Sequence, residues 1–157
     1  GSLRGKVSLL GAASGMIAGL VAVTPAAGSV GPVGAIVLGG GTSVVAFFFV
    51  TTVKNKFGYD DSLDVFGIHG VGGIIGAIGT GIFTAPTLGG VGGDEYNMIG
   101  QTVIQVQAVG ITVIWTAIVA YVLFKVIDLT IGLRVTAEDE SRGLDLSTHG
   151  EAAYHNS

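Results

Sequence analysis

The sequence has no cysteine and few charged residues, and both shortages narrow what the chain can be. Without cysteine there is no disulfide framework, so the redox compartment stays undetermined. Charged residues make up 11% of the 157 residues. An ordinary soluble domain carries roughly 25%, so the chain lacks the surface chemistry of a water-soluble protein. The net charge of −4 does not favour binding to nucleic acid.

The residue patterns of enzymes and cofactor sites are missing as well. The sequence shows no Ser/His/Asp arrangement, no metal-ligand cluster and no phosphate-binding loop, so it predicts neither an enzyme nor a cofactor or metal site. The run Gly70–Gly76 invites comparison with a dinucleotide-binding loop, but its glycine spacing is wrong and no strand precedes it. An enzyme embedded in the membrane therefore finds no support in these residues.

Apolar residues are abundant, at 49% of the chain. Four apolar stretches reach the roughly 20 residues that a helix needs to cross a bilayer. They cover about residues 9–27, 33–53, 65–85 and 99–130. The sequence therefore predicts an all-α, polytopic transmembrane helix bundle with four spans. We expect a transmembrane domain over residues 1–134 and a cytoplasmic C-terminal tail over residues 135–157.

The basic residues predict the orientation of this bundle. With four crossings, all seven lysine and arginine residues, Arg4 and Lys6 among them, fall on one side of the membrane. The opposite loops, near residues 28–32 and 86–98, contain only Asp94 and Glu95 as charged residues. Because loops rich in lysine and arginine stay in the cytoplasm, we expect a multi-pass protein of the plasma or inner membrane. Both termini of this segment would then be cytoplasmic.

His69 lies inside the third predicted span, where an imidazole is costly unless it is paired or faces a water-filled path. Histidine is also the side chain best suited to handling protons near neutral pH. Val65 and Gly73 share its helix face, so its surroundings are small and apolar. Such a face penalises ions and tolerates a small neutral molecule. The alternative is a structural histidine that bonds a hydroxyl or carbonyl group of a neighbouring helix.

Three aspartates, Asp60, Asp61 and Asp64, stand just before the third span. Acidic side chains are stabilised at a helix N-terminus and can cap its free N–H groups. The predicted role of these carboxylates is therefore structural, close to the candidate path at His69. Attraction of cations is the alternative.

Glycines recur at every fourth position in two of the spans, so they share one helix face. Small residues at this spacing let a neighbouring helix approach closely. The pattern predicts a tightly packed bundle, and beside His69 it also allows a thinned helix that makes room for a narrow bore. The positions are Gly11, Gly15 and Gly19 in the first span and Gly72 and Gly76 in the third.

Six segments, spread in order across nearly the whole chain, carry a resemblance to a known family. They are residues 11–15 (GAASG), 23–26 (VTPA), 59–74 (YDDSLDVFGIHGVGGI), 132–135 (GLRV), 143–145 (GLD) and 149–151 (HGE). Together they strongly resemble the ammonium transporter family (Amt/Mep/Rh), on its Amt branch. The resemblance implies the last four helices and the cytoplasmic tail of an eleven-helix transporter, part of the second of its two inverted repeats. It also implies a homotrimer that conducts ammonium or ammonia through a pore in each subunit.

The same resemblance implies roles for residues of the third span. His69 matches the second of two hydrogen-bonded pore histidines, and Val65 matches a bore-lining position beside it. Asp61 matches a structural carboxylate near the cytoplasmic end of that helix, and Asp64 is grouped with it.

The tail is implied to be regulatory. In the family it couples neighbouring subunits and takes part in binding the nitrogen-regulatory PII protein. The matching residues here are Gly143, Asp145, Ser147 and His149. Ser147 stands where some plant relatives carry a regulatory, phosphorylatable threonine.

Other parts of the family pattern have no counterpart in this sequence. The first pore histidine, the phenylalanine gate pair and the vestibule tryptophan are absent. We therefore expect a fragment of a longer chain, carrying one of the two pore histidines, that does not conduct alone. The alternative function is a regulatory or assembly module whose tail binds a PII-type protein.

Overall fold

The computed structural model describes residues 9–152, and within this part of the chain all regular secondary structure is helical, without a strand. Four helices are long and apolar enough to cross a membrane: Leu9–Ala26, Pro32–Phe57, Phe66–Phe83 and Met98–Thr130. These bounds lie within a few residues of the predicted spans, so the prediction of an all-α transmembrane bundle is confirmed. Arg4 and Lys6, which contribute to the predicted orientation, lie outside the described residues, as do residues 153–157 of the predicted tail.

The first two membrane helices each contain a turn of different winding. Helix α1 is Leu9–Val23 and continues as a 3-10 turn over Thr24–Ala26. Helix α2, Pro32–Phe48, begins with proline, whose missing N–H costs nothing at the first helical position. A π-helical turn, Phe49–Val53, joins α2 to the short helix α3, Lys54–Phe57. Gly58, with φ of 62°, ends this continuous helix in the left-handed conformation that favours glycine.

A second π-helical turn, Phe66–Gly70, opens the third membrane helix and leads directly into α4, Val71–Phe83. Helix α5 spans Met98–Thr130, and the chain continues through α6, Ala137–Arg142, to a third π-helical turn, Asp145–His149.

Helices α1, α2 and α4 pack together through their glycines. A Cβ atom on Gly19 of α1 would lie 3.3 Å from the Gly39 carbonyl oxygen of α2. A Cβ atom on Gly76 of α4 would lie 2.9 Å from the Ala22 Cα of α1. The Ser43 hydroxyl of α2 adds a hydrogen bond of 2.7 Å to the Gly15 carbonyl oxygen of α1. At Gly19 and Gly76 the glycines therefore lie where backbones meet, as close membrane packing requires, whereas the Cβ position of Gly15 has no atom within 4 Å.

The chain divides into two compact units, Gly1–Thr112 and Val113–Ser157, with the boundary inside α5. The first unit contains α1 to α4 and the first part of α5. The second contains the rest of α5 together with α6 and the third π-helical turn. The boundary proposed from the sequence, between residues 134 and 135, stays a prediction.

Helix α5 differs from the other membrane helices because none of its residues is buried. Its 33 residues correspond to a length of about 50 Å. The hydrocarbon core of a bilayer is about 30 Å thick, so the helix is longer than a perpendicular crossing requires. Its exposed apolar side chains suit contact with lipid or with other protein.

Candidate functional site

His69 lies in the π-helical turn at the start of the third membrane helix, and its side chain is exposed. Within residues 9–152, the imidazole forms no hydrogen bond. The ring therefore has both nitrogens available, one as a donor and one as an acceptor when it is neutral. A structural histidine that bonds a neighbouring helix would use at least one of them.

One side of the His69 helix is open. Val65, one turn before His69, is 50% exposed. Gly73, one turn after it, has no atom within 4 Å of the position that a Cβ would occupy. Val65, His69 and Gly73 thus line the same face, which is apolar apart from the imidazole.

The opposite side of the same helix is buried against helices α1 and α2. Ile68 is 6% exposed and packs in a core cluster with Ala18 of α1 and Ala46 of α2. A Cβ atom on Gly67 would come within 2.8 Å of Val50 Cγ2. The π-helical turn that carries His69 therefore packs directly on the π-helical turn of the preceding helix, which contains Val50.

Asp61 caps the start of this helix. Its carboxylate oxygens accept hydrogen bonds from the backbone N–H groups of Val65, at 2.8 Å, and Phe66, at 2.9 Å. The first N–H groups of a helix have no intrahelical partner, so a carboxylate here both satisfies them and complements the helix dipole. The Asp61 carboxylate thus bonds directly to the N–H of Phe66, the residue that opens the π-helical turn.

Asp64 has an unusual backbone, with φ of 57°. A side chain costs about 1–2 kcal/mol in this left-handed conformation, and aspartate is one of the few residues that visits it. The conformation is held by two hydrogen bonds of the Asp64 backbone: its N–H donates to the Asp61 carbonyl oxygen, at 3.1 Å, and its carbonyl accepts from Ile68, at 2.9 Å. Asp61 and Asp64 therefore form one tight turn that leads into the helix.

Lys54 of the preceding helix contacts both Asp61 and Asp64 of this turn. Its ammonium group lies 2.7 Å from Asp64 Oδ1 and also donates to the Asp61 carbonyl oxygen. Both side chains of the ion pair are about three-quarters shielded, at 24% and 25% relative exposure. The pair therefore joins the last turn of one membrane helix to the residue just before the start of the next.

Aromatic rings pack beside the ion pair. The Phe66 ring meets the Tyr59 ring edge to face, with centroids 5.7 Å apart, and the Phe49 ring at 6.2 Å. The Tyr59 hydroxyl is buried and has no hydrogen-bond partner within the described part of the chain. The Phe66 ring, at the start of the His69 helix, is therefore held between an aromatic ring of the preceding helix and one of the connecting turn.

The tail residues that the sequence singled out lie in one short structure of the second unit. Gly143, with φ of 97°, ends α6, and its carbonyl accepts hydrogen bonds from the Ser147 N–H and hydroxyl, at 3.0 and 3.1 Å. Asp145 opens the third π-helical turn and accepts a backbone bond from Glu151 at 2.9 Å. His149 lies in the last turn and is exposed. All four predicted residues are therefore brought together here.

Sequence reasoning missed two features of the site, the π-helical turns and the role of Lys54. In the sequence, Lys54 counted only as one of the basic residues that set orientation. A signal existed, since a lysine shortly before three aspartates at a membrane boundary is a candidate ion pair. Which aspartate it reaches depends on the winding of the helix and could not be read from spacing.

Comparison with known proteins identifies the family. The model of the Ammonium Transporter Family matches residues 2–154. The ammonium transporter of Aquifex aeolicus is 50% identical over 151 residues, which are 96% of this chain and 36% of that protein. The ammonium transporter of Bacillus subtilis is 46% identical over 154 residues, 97% of this chain and 38% of that protein. The chain thus spans less than two-fifths of the length of these relatives. It belongs to the ammonium transporter family and is a multi-pass membrane protein.

Proposed function

We propose that this chain forms part of an ammonium or ammonia transporter, a channel in which His69 and Val65 line the path of the substrate. The observation that carries the proposal is the exposed imidazole of His69 on the small, open face of a membrane helix whose other face is sealed by packing. The names of the relatives and the family membership supply the substrate.

The chemistry of this face fits a small molecule that can exchange a proton. An apolar path disfavours a bare cation, because an unpaired charge loses its hydration there. A neutral imidazole can both donate and accept a hydrogen bond, so His69 can hydrogen-bond ammonia as it passes without placing a charge in the path. Transport rather than catalysis is the proposed activity, and no covalent step or cofactor is required.

The test of this site is uptake of methylammonium by the full-length protein that contains this segment. We expect His69→Ala and His69→Glu to change the transport rate or the selectivity for ammonium over other monovalent cations. His155→Ala is the matched control, since His155 is a histidine that is assigned neither to the path nor to the regulatory tail residues. Wild-type rate and selectivity in both His69 variants would refute the role of His69.

The proposal also covers the oligomeric state of the protein and the orientation of this segment in the membrane. We propose a homotrimer in the plasma or inner membrane, with both termini of this segment in the cytoplasm. The orientation is supported by the basic residues at one side of the predicted spans. Because this chain has no cysteine, single cysteines introduced into a cysteine-free parent can test it. A membrane-impermeant thiol reagent applied outside should label Asp94→Cys and leave Ser147→Cys unlabelled; the reverse pattern would invert the orientation.

A second candidate function is regulation through the tail, with a PII-type protein as the partner. The observation that favours it is the structure of residues 143–151, where Gly143, Ser147 and Asp145 form a compact hydrogen-bonded turn. A full-length protein truncated after Val135 should lose capture of the PII protein that the wild type retains. Equal capture by both would count against this role.

A further inference from the structure

We infer that Lys54 is a positioning residue for His69: it locks the turn from Asp61 to Asp64 and so fixes the rotation of the helix that presents the imidazole. The inference deepens the proposed function and rests on it. It assigns to a lysine of one membrane helix control over a path-lining group of the next.

The contacts of Lys54 reach both ends of the turn. Its ammonium donates to the Asp61 carbonyl oxygen at one end and lies 2.7 Å from the Asp64 carboxylate at the other. A single cation that bridges a backbone carbonyl and a side chain three residues later fixes the conformation between them. An exposed surface pair that joins two flexible side chains would not do this.

The conformation of this turn depends on such contacts because the backbone of Asp64 is in an energetically unfavourable conformation. Asp64 holds φ of 57°, a conformation that persists only where the surroundings determine it fully. Without Lys54, the remaining bonds that hold Asp64 are its two backbone bonds, to Asp61 and from Ile68. Asp64 could then relax toward the ordinary right-handed or extended regions and shift the first turn of the helix.

The first turn of the helix is what sets His69. The Asp61 carboxylate holds the N–H groups of Val65 and Phe66. Phe66 is the first residue of the π-helical turn that contains His69. A displacement of the cap is therefore passed along fewer than two turns of backbone to the imidazole.

The reach of Lys54 in turn depends on the π-helical turn just before it. Phe49–Val53 adds a residue to one turn of the helix, and α3 begins at Lys54. With purely α-helical winding the side chain of residue 54 would be rotated by about 100°. Val50 of the same turn packs on Gly67 of the second π-helical turn. The two π-helical turns thus pack against each other. The first sets the direction of the Lys54 side chain, and the second contains His69.

Lys56 provides a natural comparison within the same short helix. It lies two residues beyond Lys54, is exposed, and its ammonium sits 6.0 Å from the centroid of the adjacent Phe57 ring. It does not contact the turn of Asp61 and Asp64 within the described residues. Lys56→Met therefore removes the same charge and chemistry as Lys54→Met without opening the turn.

The direct test observes the His69 imidazole itself. The full-length protein, labelled with 15N-histidine and reconstituted in liposomes, gives a His69 signal that is assigned by its loss in His69→Ala. We expect Lys54→Met to move or broaden this signal, Lys54→Arg to restore it, and Lys56→Met to leave it unchanged. If Lys54→Met does not fold, Asp64→Asn removes the same charge pair with a residue that tolerates the left-handed backbone. A His69 signal at its wild-type position in folded Lys54→Met or Asp64→Asn would overturn the inference.

Methylammonium uptake separates this inference from the proposed function on which it rests. We expect the maximal rate of Lys54→Met to fall by about tenfold to a hundredfold, as for a functional group displaced by about 1 Å, and Lys56→Met to keep the wild-type rate. If His69→Ala impairs methylammonium uptake and Lys54→Met keeps the wild-type rate, only the positioning role of Lys54 is refuted. Wild-type transport by His69→Ala would remove the role of His69 in the path and with it the transport consequence of Lys54.

Discussion

Substituting alanine for Gly76 should separate helices α1 and α4, whereas the same change at Gly73 should be harmless to packing. The Cβ of an alanine at position 76 would lie 2.9 Å from both the carbonyl carbon and the Cα of Ala22 and would overlap its carbonyl oxygen. Carbon atoms pack favourably at about 3.5–4.0 Å. Because the obstacle is backbone rather than a flexible side chain, the helices must move apart by most of an ångström.

The magnitude follows from two opposing effects. Alanine in a helix interior is more stable than glycine by about 0.5–1 kcal/mol. Overpacking of a tight contact costs about 1–3 kcal/mol. Because the obstacle at Gly76 is backbone, we expect the upper part of that cost, about 2–3 kcal/mol, and thus a net loss of about 1–2.5 kcal/mol for Gly76→Ala. Gly73, with open space around its Cβ position, should show only the gain.

Thermal unfolding of the full-length protein in detergent measures this difference. A free-energy change of 1 kcal/mol corresponds to about 2–4 °C in Tm for domains of 150–250 residues, and to a smaller shift in a longer protein. We expect Gly76→Ala to melt several degrees below Gly73→Ala, with the wild type between them. Equal melting temperatures for the two alanine variants would refute the close approach of α1 and α4 at this position.

Three further substitutions test single contacts. Thr42 is 1% exposed and its hydroxyl has no hydrogen-bond partner within residues 9–152. Thr42→Val should therefore leave the free energy of unfolding unchanged or raise it by about 1 kcal/mol. A clear fall in Tm would mean that the hydroxyl is hydrogen-bonded. Asp64→Val should destabilise the protein by about 1–2 kcal/mol more than Asp64→Asn, because a branched side chain tolerates the left-handed backbone poorly; equal Tm values would contradict this. Thr136 accepts the Asp139 N–H at 3.2 Å, so Thr136→Ala should cost α6 about 1 kcal/mol and speed amide exchange at Asp139; unchanged exchange would refute the cap.

The membrane helices could be predicted from the sequence because hydropathy and length dominate in lipid. A run of about 20 apolar residues has few alternatives to a helix there, since every backbone polar group must be satisfied within the segment. The helix contacts at Gly19 and Gly76 also followed from spacing, because only glycine permits such an approach. The carboxylate cap of Asp61 could be anticipated for the same kind of local reason, since acidic residues favour helix starts.

The winding of the helices could not be predicted. The segments FVTTV and FGIHG contain β-branched and aromatic residues or glycine, yet many regular α-helices contain the same residues. A π-helical turn is selected by contacts with another part of the chain, here Val50 against Gly67. For this reason the pairing of Lys54 with Asp64, which depends on that winding, was also beyond sequence reasoning.

The third membrane helix divides its surface between packing and the candidate path, and this division explains why glycine is common on both sides of it. On the sealed side, Gly67 and Gly76 are glycine because a side chain would collide with Val50 or Ala22. On the open side, Gly73 meets nothing, so packing within the described residues does not require glycine there. Gly73 lies one turn from an exposed imidazole in an apolar span, so it leaves room for the substrate that we propose passes beside His69. We therefore expect Gly73→Ala to change methylammonium uptake by the full-length protein while leaving its thermal stability intact, because the added methyl group would enter the open side of the helix.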